Sequence, residues 1–396
     1  MAAPFGNFDF KTAKFKDFVK AMKDVGYYPT DLSTLKVTHS QMRDMAFGPE
    51  YEGNIVGIIA DGKPGTGKSW LAQCAARMMG AEYLVYNCHP DSSQEELLSE
   101  PNAGAVVNSF QQLVELLEKL VDNSNNSVQP SSLAPSNKAV DVDKLSRSEL
   151  YNMGQLLQAF IQSDKGPVVL LIDELDKGRT AVDATLLTIM SEGTIYLQGW
   201  GENGEVLAVR ANRRNLFVVV AKNQNRELEE ALYRRFPTVW IDYPPRSVEI
   251  NMIMESAGVG PAVAKHLVRI ARKIRASNSI KKEPSFPELK RIALDFKKIW
   301  EMDCEVITET DDTTKDEKKY IKCGISRATL FNEVLATLQP RPKERQMTLE
   351  VLGVKKRGQN KIPMFLGTQL LSKFAQDAGE EHKISCATEQ SVRSGI

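Results

Sequence analysis

The stretch GKPGTGKS at residues 62–69 satisfies the pattern G-x-x-x-x-G-K-[ST], in which each residue type has its own duty. Gly62, Gly65 and Gly67 allow backbone angles that a side chain would forbid, so successive N–H groups of the loop Gly62, Lys63, Pro64, Gly65, Thr66, Gly67 can turn inward on a phosphate. Lys68 is expected to reach the β- and γ-phosphates of ATP. Ser69, next to Trp70, offers its hydroxyl to the Mg2+ that accompanies them. A second set of groups could act on that nucleotide. Asp173 and Glu174 end the apolar run VVLLI, where Asp173 can hold magnesium through its water shell and Glu174 can orient and deprotonate an attacking water. Asn223 follows LFVVVAK and could position the same water by its amide. Arg234 and Arg235 come one helix later, too displaced to serve the same nucleotide but suited to the γ-phosphate of a neighbouring subunit.

The elements that must hold these residues are legible from apolar patterning. The run at 55–60 leads into the loop as a strand, and 70–79 leaves it as a helix whose positive end favours a phosphate. Further buried strands are expected at 82–87, 168–172, 216–221 and 238–242, with helices at 145–162 and 181–191 between them. Strands alternating with helices at this rhythm predict an open, mostly parallel α/β sheet, and the chemistry falls at its carboxyl edge, where such sheets bind ligands. The segments 194–200 and 205–210 flank Gly201-Glu202-Asn203-Gly204 as a β-hairpin. Upstream, an amphipathic helix is expected at 11–25 and a short one beginning near Ser40; after 82–87, Asp91 or Ser92 is available to cap another. A helix at 110–121 precedes NSNNSVQPSSLAPSNKAVDVD, too poor in large apolar residues to build a core, so 122–140 reads as a mobile insertion.

Pro244-Pro245 marks a boundary. Beyond it Val263, Leu267, Ile270, Ala271 and Ile274 form one helical stripe, 289–300 another and 328–338 a third, with CEVITE and KKYIKC as a small hairpin between the last two. The organisation is therefore an N-terminal helical segment at 1–50, a nucleotide domain at 51–243, a helical domain at 244–339 and a tail at 340–396 of unassigned structure.

Composition narrows the possibilities. Lys plus Arg and Asp plus Glu both total 51, so no net charge draws the chain to nucleic acid or anionic lipid. No apolar run resembles a leader or spans a bilayer, which predicts a cytoplasmic protein. Cys74, Cys88, Cys304, Cys323 and Cys386 are scattered and include no C-x-x-C pair, and they read as reduced thiols without a zinc site.

At its chemical residues the chain resembles the AAA+ ATPases, and within them the MoxR group with its CbbQ and NorQ activase-type members. The resemblance rests on the loop, on YNCHPDSSQEELL, on LLIDELDKGRTAVDATLLTIMSEG, on the hairpin, on the run 221–236 (A-K-N-x-x-x-x-L-x-x-A-L-x-R-R-F) and on IDYPPRSVEINMI. It implies a five-stranded nucleotide domain followed by a helical lid, with Asn223 as sensor 1 and Arg235, or alternatively Arg234, as the arginine finger. It also implies a sensor 2 arginine at Arg327, although Ile325-Ser326 replaces the group's usual Ser-Pro, and Lys222 stands where Thr or Gln is common. The segment 110–145 enlarges that group's helix 2 insert. A ring, most often a hexamer, that remodels a protein partner through a von Willebrand factor A domain adaptor is what the resemblance implies. Two other readings compete: a nucleic-acid-dependent ATPase, suggested by Arg210, Arg213, Arg214 and the basic KKRGQNK at 355–361, and a nucleotide-gated scaffold without turnover.

Overall fold

The structure, a computed structural model, describes residues 8–29, 31–47, 54–101, 151–198, 205–277, 279–310, 317–352, 365–380 and 383–387. The expected helix at 110–121, the insertion at 122–140, the hairpin turn at 201–204 and the basic run at 355–361 lie outside the described residues. Contacts divide the chain into two units, Met1–Lys63 with Gly67–Asp242, and Pro64–Thr66 with Tyr243–Ile396.

The first unit is an α/β layer structure. Strands β1 (Val56–Asp61), β2 (Glu82–Asn87), β5 (Val168–Asp173), β8 (Leu216–Lys222) and β9 (Thr238–Trp240) form a five-stranded sheet in the order β2-β5-β8-β1-β9, parallel throughout. The central strands read as unbroken apolar runs because both of their faces are covered. Val169, Leu171, Val219 and Ala221 face the helices Phe15–Asp24, Leu32–Phe47 and Lys68–Met79, whereas Leu170, Ile172, Val218 and Val220 face Gln155–Ser163 and Thr180–Glu192. Two short ribbons stand apart from the sheet. In one, β3 (Ser99–Pro101) pairs antiparallel with β4 (Tyr151–Met153); in the other, β6 (Thr194–Leu197) pairs antiparallel with β7 (Leu207–Arg210), as the hairpin pattern predicts.

Three expectations need correction. The second helix runs Leu32–Phe47 and does not begin near Ser40. Its first turns were hidden because Thr34, Thr38 and His39 are buried among its apolar positions; Thr34 Oγ1 donates to the Trp240 carbonyl (3.2 Å) and Thr38 Oγ1 to that of Thr34 (2.8 Å). The cap after β2 is Ser93, not Asp91 or Ser92: its hydroxyl accepts from Glu96 N while Glu96 reaches back to Ser93 N. Ser92 instead accepts from His89 N (3.0 Å). Within the described part of 145–162, helix starts only at Gln155, because Tyr151–Met153 pairs with β3; Leu156, Leu157 and Phe160 are buried, as their spacing requires.

The second unit is helical around one apolar core. Helices Arg246–Ala257, Pro261–Arg275, Phe286–Asp303, Arg327–Leu338, Pro342–Val351 and Phe365–Asp377 surround it, and the stripe Val263, Leu267, Ile270, Ala271 and Ile274 is buried along its length. Strands β10 (Cys304–Thr310) and β11 (Glu317–Ser326) make the expected hairpin. The unassigned tail adds β12 (Lys383–Ala387), parallel to β11, and Leu366, Leu370, Leu371 and Phe374 join the core.

Candidate active site

The residues singled out by chemistry meet along the carboxyl ends of three neighbouring strands. β1 ends at Asp61 and runs into the loop, where Gly65 (φ 75°) and Gly67 (φ 102°) take left-handed backbone angles that favour glycine. Gly67 is also the N-cap of helix Lys68–Met79, so the loop delivers N–H groups at the positive end of that helix. Lys68 is buried, and its Nζ donates to the carbonyls of Gly62 (2.8 Å) and Lys63 (2.7 Å). Burial lowers its pKa, against the opposing pull of Asp173, Asp176, Asp61 and Glu174. Trp70 points away from this chemistry: it donates to the Gly26 carbonyl (3.0 Å), and Arg77 lies over its ring.

Ser69 Oγ donates to Asp173 Oδ2 (2.6 Å), joining the start of the helix to the end of β5. These are hard oxygen donors of the kind magnesium takes, and no cation among the described residues stands within ion-pair distance of Asp173. The donor set fits a magnesium ion.

Glu174 holds left-handed backbone angles (φ 56°, ψ 36°), a conformation that costs a non-glycine residue on the order of 1–3 kcal/mol. Asp173 Oδ1 supports it by accepting from Glu174 N (2.9 Å). Both oxygens of the Glu174 carboxylate are engaged, Oε1 by Asn223 Nδ2 (3.2 Å) and Oε2 by Lys177 Nζ (2.6 Å). Each keeps a lone pair, so the carboxylate is aimed by two donors and can still accept a proton.

A layer beneath this pair was not anticipated from sequence. Asp176 is buried and its Oδ2 accepts from Asn223 N (3.0 Å) and Asn225 N (2.7 Å), shaping a turn in which Gln224 has a positive φ. Arg226 grips fully buried Asp183 through two bonds (2.7 and 2.6 Å) and donates to the carbonyls of Leu175 and Gly178, clamping the turn that carries Glu174. Lys222, at the end of β8, is 1% exposed; its Nζ meets Tyr233 Oη (2.8 Å), Glu227 (2.9 Å) and Asp61 (3.3 Å). Burial pulls its pKa down, but these partners outweigh burial and raise it overall. A lysine at the end of an otherwise apolar buried strand was the available signal. Its bonds tie the strand that enters the phosphate loop to the helix Glu230–Arg235.

The two arginines of that helix differ. Arg234 is exposed and paired with Glu230 (2.5 Å). Arg235 is partly buried, donates from Nη2 to the Met190 carbonyl (2.9 Å), and its buried Nε has no partner among the described residues. Burial, with Arg213 nearby, lowers its pKa. Arg210, Arg213, Arg214, Arg234 and Arg235 line one cavity of about 1210 Å³, and among the described residues only Arg234 of these has a carboxylate partner. Arg327 is the first residue of helix Arg327–Leu338 in the second unit; its side chain lies outside the described residues.

Residues 57–236 match the family model of the AAA domain, dynein-related subfamily. The match spans the parallel sheet from β1 through the helix Glu230–Arg235, and it supports an AAA+ ATPase with an α/β nucleotide-binding domain. No curated protein matches the chain. Among the described residues no helix is long and apolar enough to cross a membrane.

Proposed function

We propose that the chain is an ATP-hydrolysing, ring-forming AAA+ machine of the MoxR kind, which remodels or activates a protein partner. The observation that carries this reading is the convergence of Ser69 on Asp173 and of Asn223 on Glu174 beside the phosphate loop. A binding-only scaffold has no use for a strained, doubly hydrogen-bonded carboxylate at that edge.

In this reading Lys68 and the loop N–H groups hold the phosphates of ATP. A magnesium ion, held by Ser69 and through water by Asp173, would supply charge neutralisation at the β- and γ-phosphates. Glu174 takes the proton of the attacking water, while Asn223 and Lys177 fix the direction of its carboxylate. Arg235 of a neighbouring copy serves the γ-phosphate; its lack of a carboxylate partner supports it over Arg234. Arg327 reports nucleotide state to the second unit, which acts as the lid. A hexamer and a von Willebrand factor A domain adaptor are the assembly and partner that the MoxR resemblance suggests.

Nucleic-acid-dependent hydrolysis is the second reading, favoured by the five arginines around one cavity. Salt-sensitive stimulation of turnover by DNA or RNA would select it. The primary test is turnover by the purified protein beside Glu174→Gln. Hydrolysis lost in the variant while ATP binding persists supports the machine; no turnover by the wild-type protein, alone or with partners, leaves the scaffold.

A further inference from the structure

Three of the cysteines that are scattered in sequence stand side by side in the second unit. Cys323 of β11 is directly opposite Cys304 of β10 on one side and Cys386 of β12 on the other. Strand alternation settles which way they face. Ile321 and Cys323 are buried while Lys322 is exposed, and Ile384 and Cys386 pack on the core while Ser385 is exposed. Cys304 packs against the same core, so the three thiols form a row on one face of the sheet. Opposed residues of an antiparallel pair, as Cys304 and Cys323 are, lie about 4.5–5.5 Å apart, and neighbouring strands such as parallel β11 and β12 run about 4.7–4.9 Å apart, both within the Cα separation of about 4.4–6.8 Å that a disulfide spans.

The row does not close around a point, and among the described residues no group of three or more His, Cys, Asp or Glu is arranged to hold a metal ion. Its chemistry is that of thiols in contact. Hydrogen bonds from Cys304 and then Cys386, with the Ile325 backbone, outweigh burial and hold the Cys323 thiol well below its ordinary pKa. That favours the thiolate, the nucleophilic form. Cys74 and Cys88 are buried in the first unit, and burial pushes both thiols up to about 12.

We propose that Cys304, Cys323 and Cys386 form an oxidation site at which Cys323 closes a single disulfide with one of the outer two; closed with Cys386, it fastens the strand Lys383–Ala387 to β11. Cys386 and Cys304 are partly exposed and Cys323 is buried, so a hydroperoxide meets an outer thiol first. With hydrogen peroxide, Cys386 sulfur takes one oxygen to become the sulfenic acid, the O–O bond breaks and water leaves. The Cys323 thiolate then attacks the Cys386 sulfur; the S–S bond forms, the S–O bond breaks, and hydroxide leaves to become a second water with the Cys323 proton. Two thiols and one hydrogen peroxide yield one disulfide and two waters. Cys304, on the other flank, can attack Cys323 in that disulfide, moving the bond to Cys304–Cys323 and releasing Cys386 as a thiol. The C-terminal strand is thereby fastened or freed without a further oxidant.

The test treats the full chain with hydrogen peroxide, blocks remaining thiols by alkylation, and maps peptides with and without reductant. The expected map shows one reducible bond from Cys323 to Cys386 or Cys304, with Cys74 and Cys88 alkylated. Cys386→Ser should confine the bond to Cys304–Cys323, and Cys323→Ser should leave no disulfide between the outer two. Circular dichroism checks that each variant folds, and the wild-type map stands alone if one does not. The proposal is overturned if no intramolecular bond to Cys323 forms at peroxide levels that already oxidise methionine. A Cys304–Cys386 bond at wild-type yield in Cys323→Ser would overturn it equally.

Discussion

In the first unit the reactive groups follow directly on strand ends: Asp173 closes β5, Glu174 comes next, and Asn223 lies one residue past β8. In the second unit the reactive groups sit within strands, and Cys304, Cys323 and Cys386 become neighbours only through register. The first arrangement writes chemistry into local sequence, since an apolar run followed by a polar pair is visible without any knowledge of pairing. The second is invisible until three strands distant in sequence are aligned. Buried ion pairs brace both units, Asp183–Arg226 and Lys222–Asp61 at the first unit's edge and Glu249–Arg275 in the second, beside the apolar clusters of each.

The largest expected effect falls on the first unit's chemistry. Glu174→Gln should lower ATP turnover by about 10²–10⁴-fold while ATP affinity persists, because the proton acceptor is lost and the phosphate contacts are not. Steady-state hydrolysis and equilibrium binding measured on the same preparation check this, and equal loss of both would show that Glu174 serves binding.

Next in size is the clamp. Asp183→Ala leaves Arg226 without its buried partner and should cost about 3–5 kcal/mol of stability, read by denaturant unfolding. A loss under about 1 kcal/mol would mean that water replaces the carboxylate without penalty.

In the second unit the contrast predicts a different liability. His266 is buried, its Nδ1 lies 3.1 Å from Arg269, and its Nε2 has no partner among the described residues. Burial, with Arg269 and Lys373 nearby, lowers its pKa from 6.5 to about 4. A histidine held neutral contributes stability that is present above pH 6.5 and lost as pH falls through about 4, on the order of 3 kcal/mol in all. Unfolding followed across that window should show the loss, and His266→Gln should flatten it; an unchanged slope would remove His266 from the account.

The smallest effect concerns a cap. Ser326 accepts from Thr329 N (3.2 Å) at the start of the helix that Arg327 begins. Ser326→Ala should cost about 1 kcal/mol. A thermal melt unchanged within error would show that water caps the helix as well.

How far the sequence could be read follows from the same contrast. Glu82–Asn87 has the expected bounds, and β5 and β8 extend one residue beyond theirs, because unbroken apolar runs bounded by polar residues leave little freedom. The helix Leu32–Phe47 was misplaced because buried Thr34 and Thr38 satisfy their hydroxyls on backbone carbonyls and interrupt the apolar stripe. Asp183 escaped notice, and Lys222 stood out in the sequence only as a departure from the resembled group, because a buried charge is explained only by its partner, and those partners come from other elements. The tail at 340–396 was unassigned because its periodicity is weak over its length, and the helix Phe365–Asp377 that buries Leu366, Leu370, Leu371 and Phe374 is only one part of it.

The central claim is a site shared between copies, and a mixing experiment reaches it most directly. Arg235→Ala and Glu174→Gln are each expected to hydrolyse little ATP alone. Mixed, they form some interfaces with wild-type Glu174 on one side and wild-type Arg235 on the other, and the account predicts partial recovery of turnover that depends on the mixing ratio. Absence of recovery at every ratio, with mixed assembly verified separately, would contradict it.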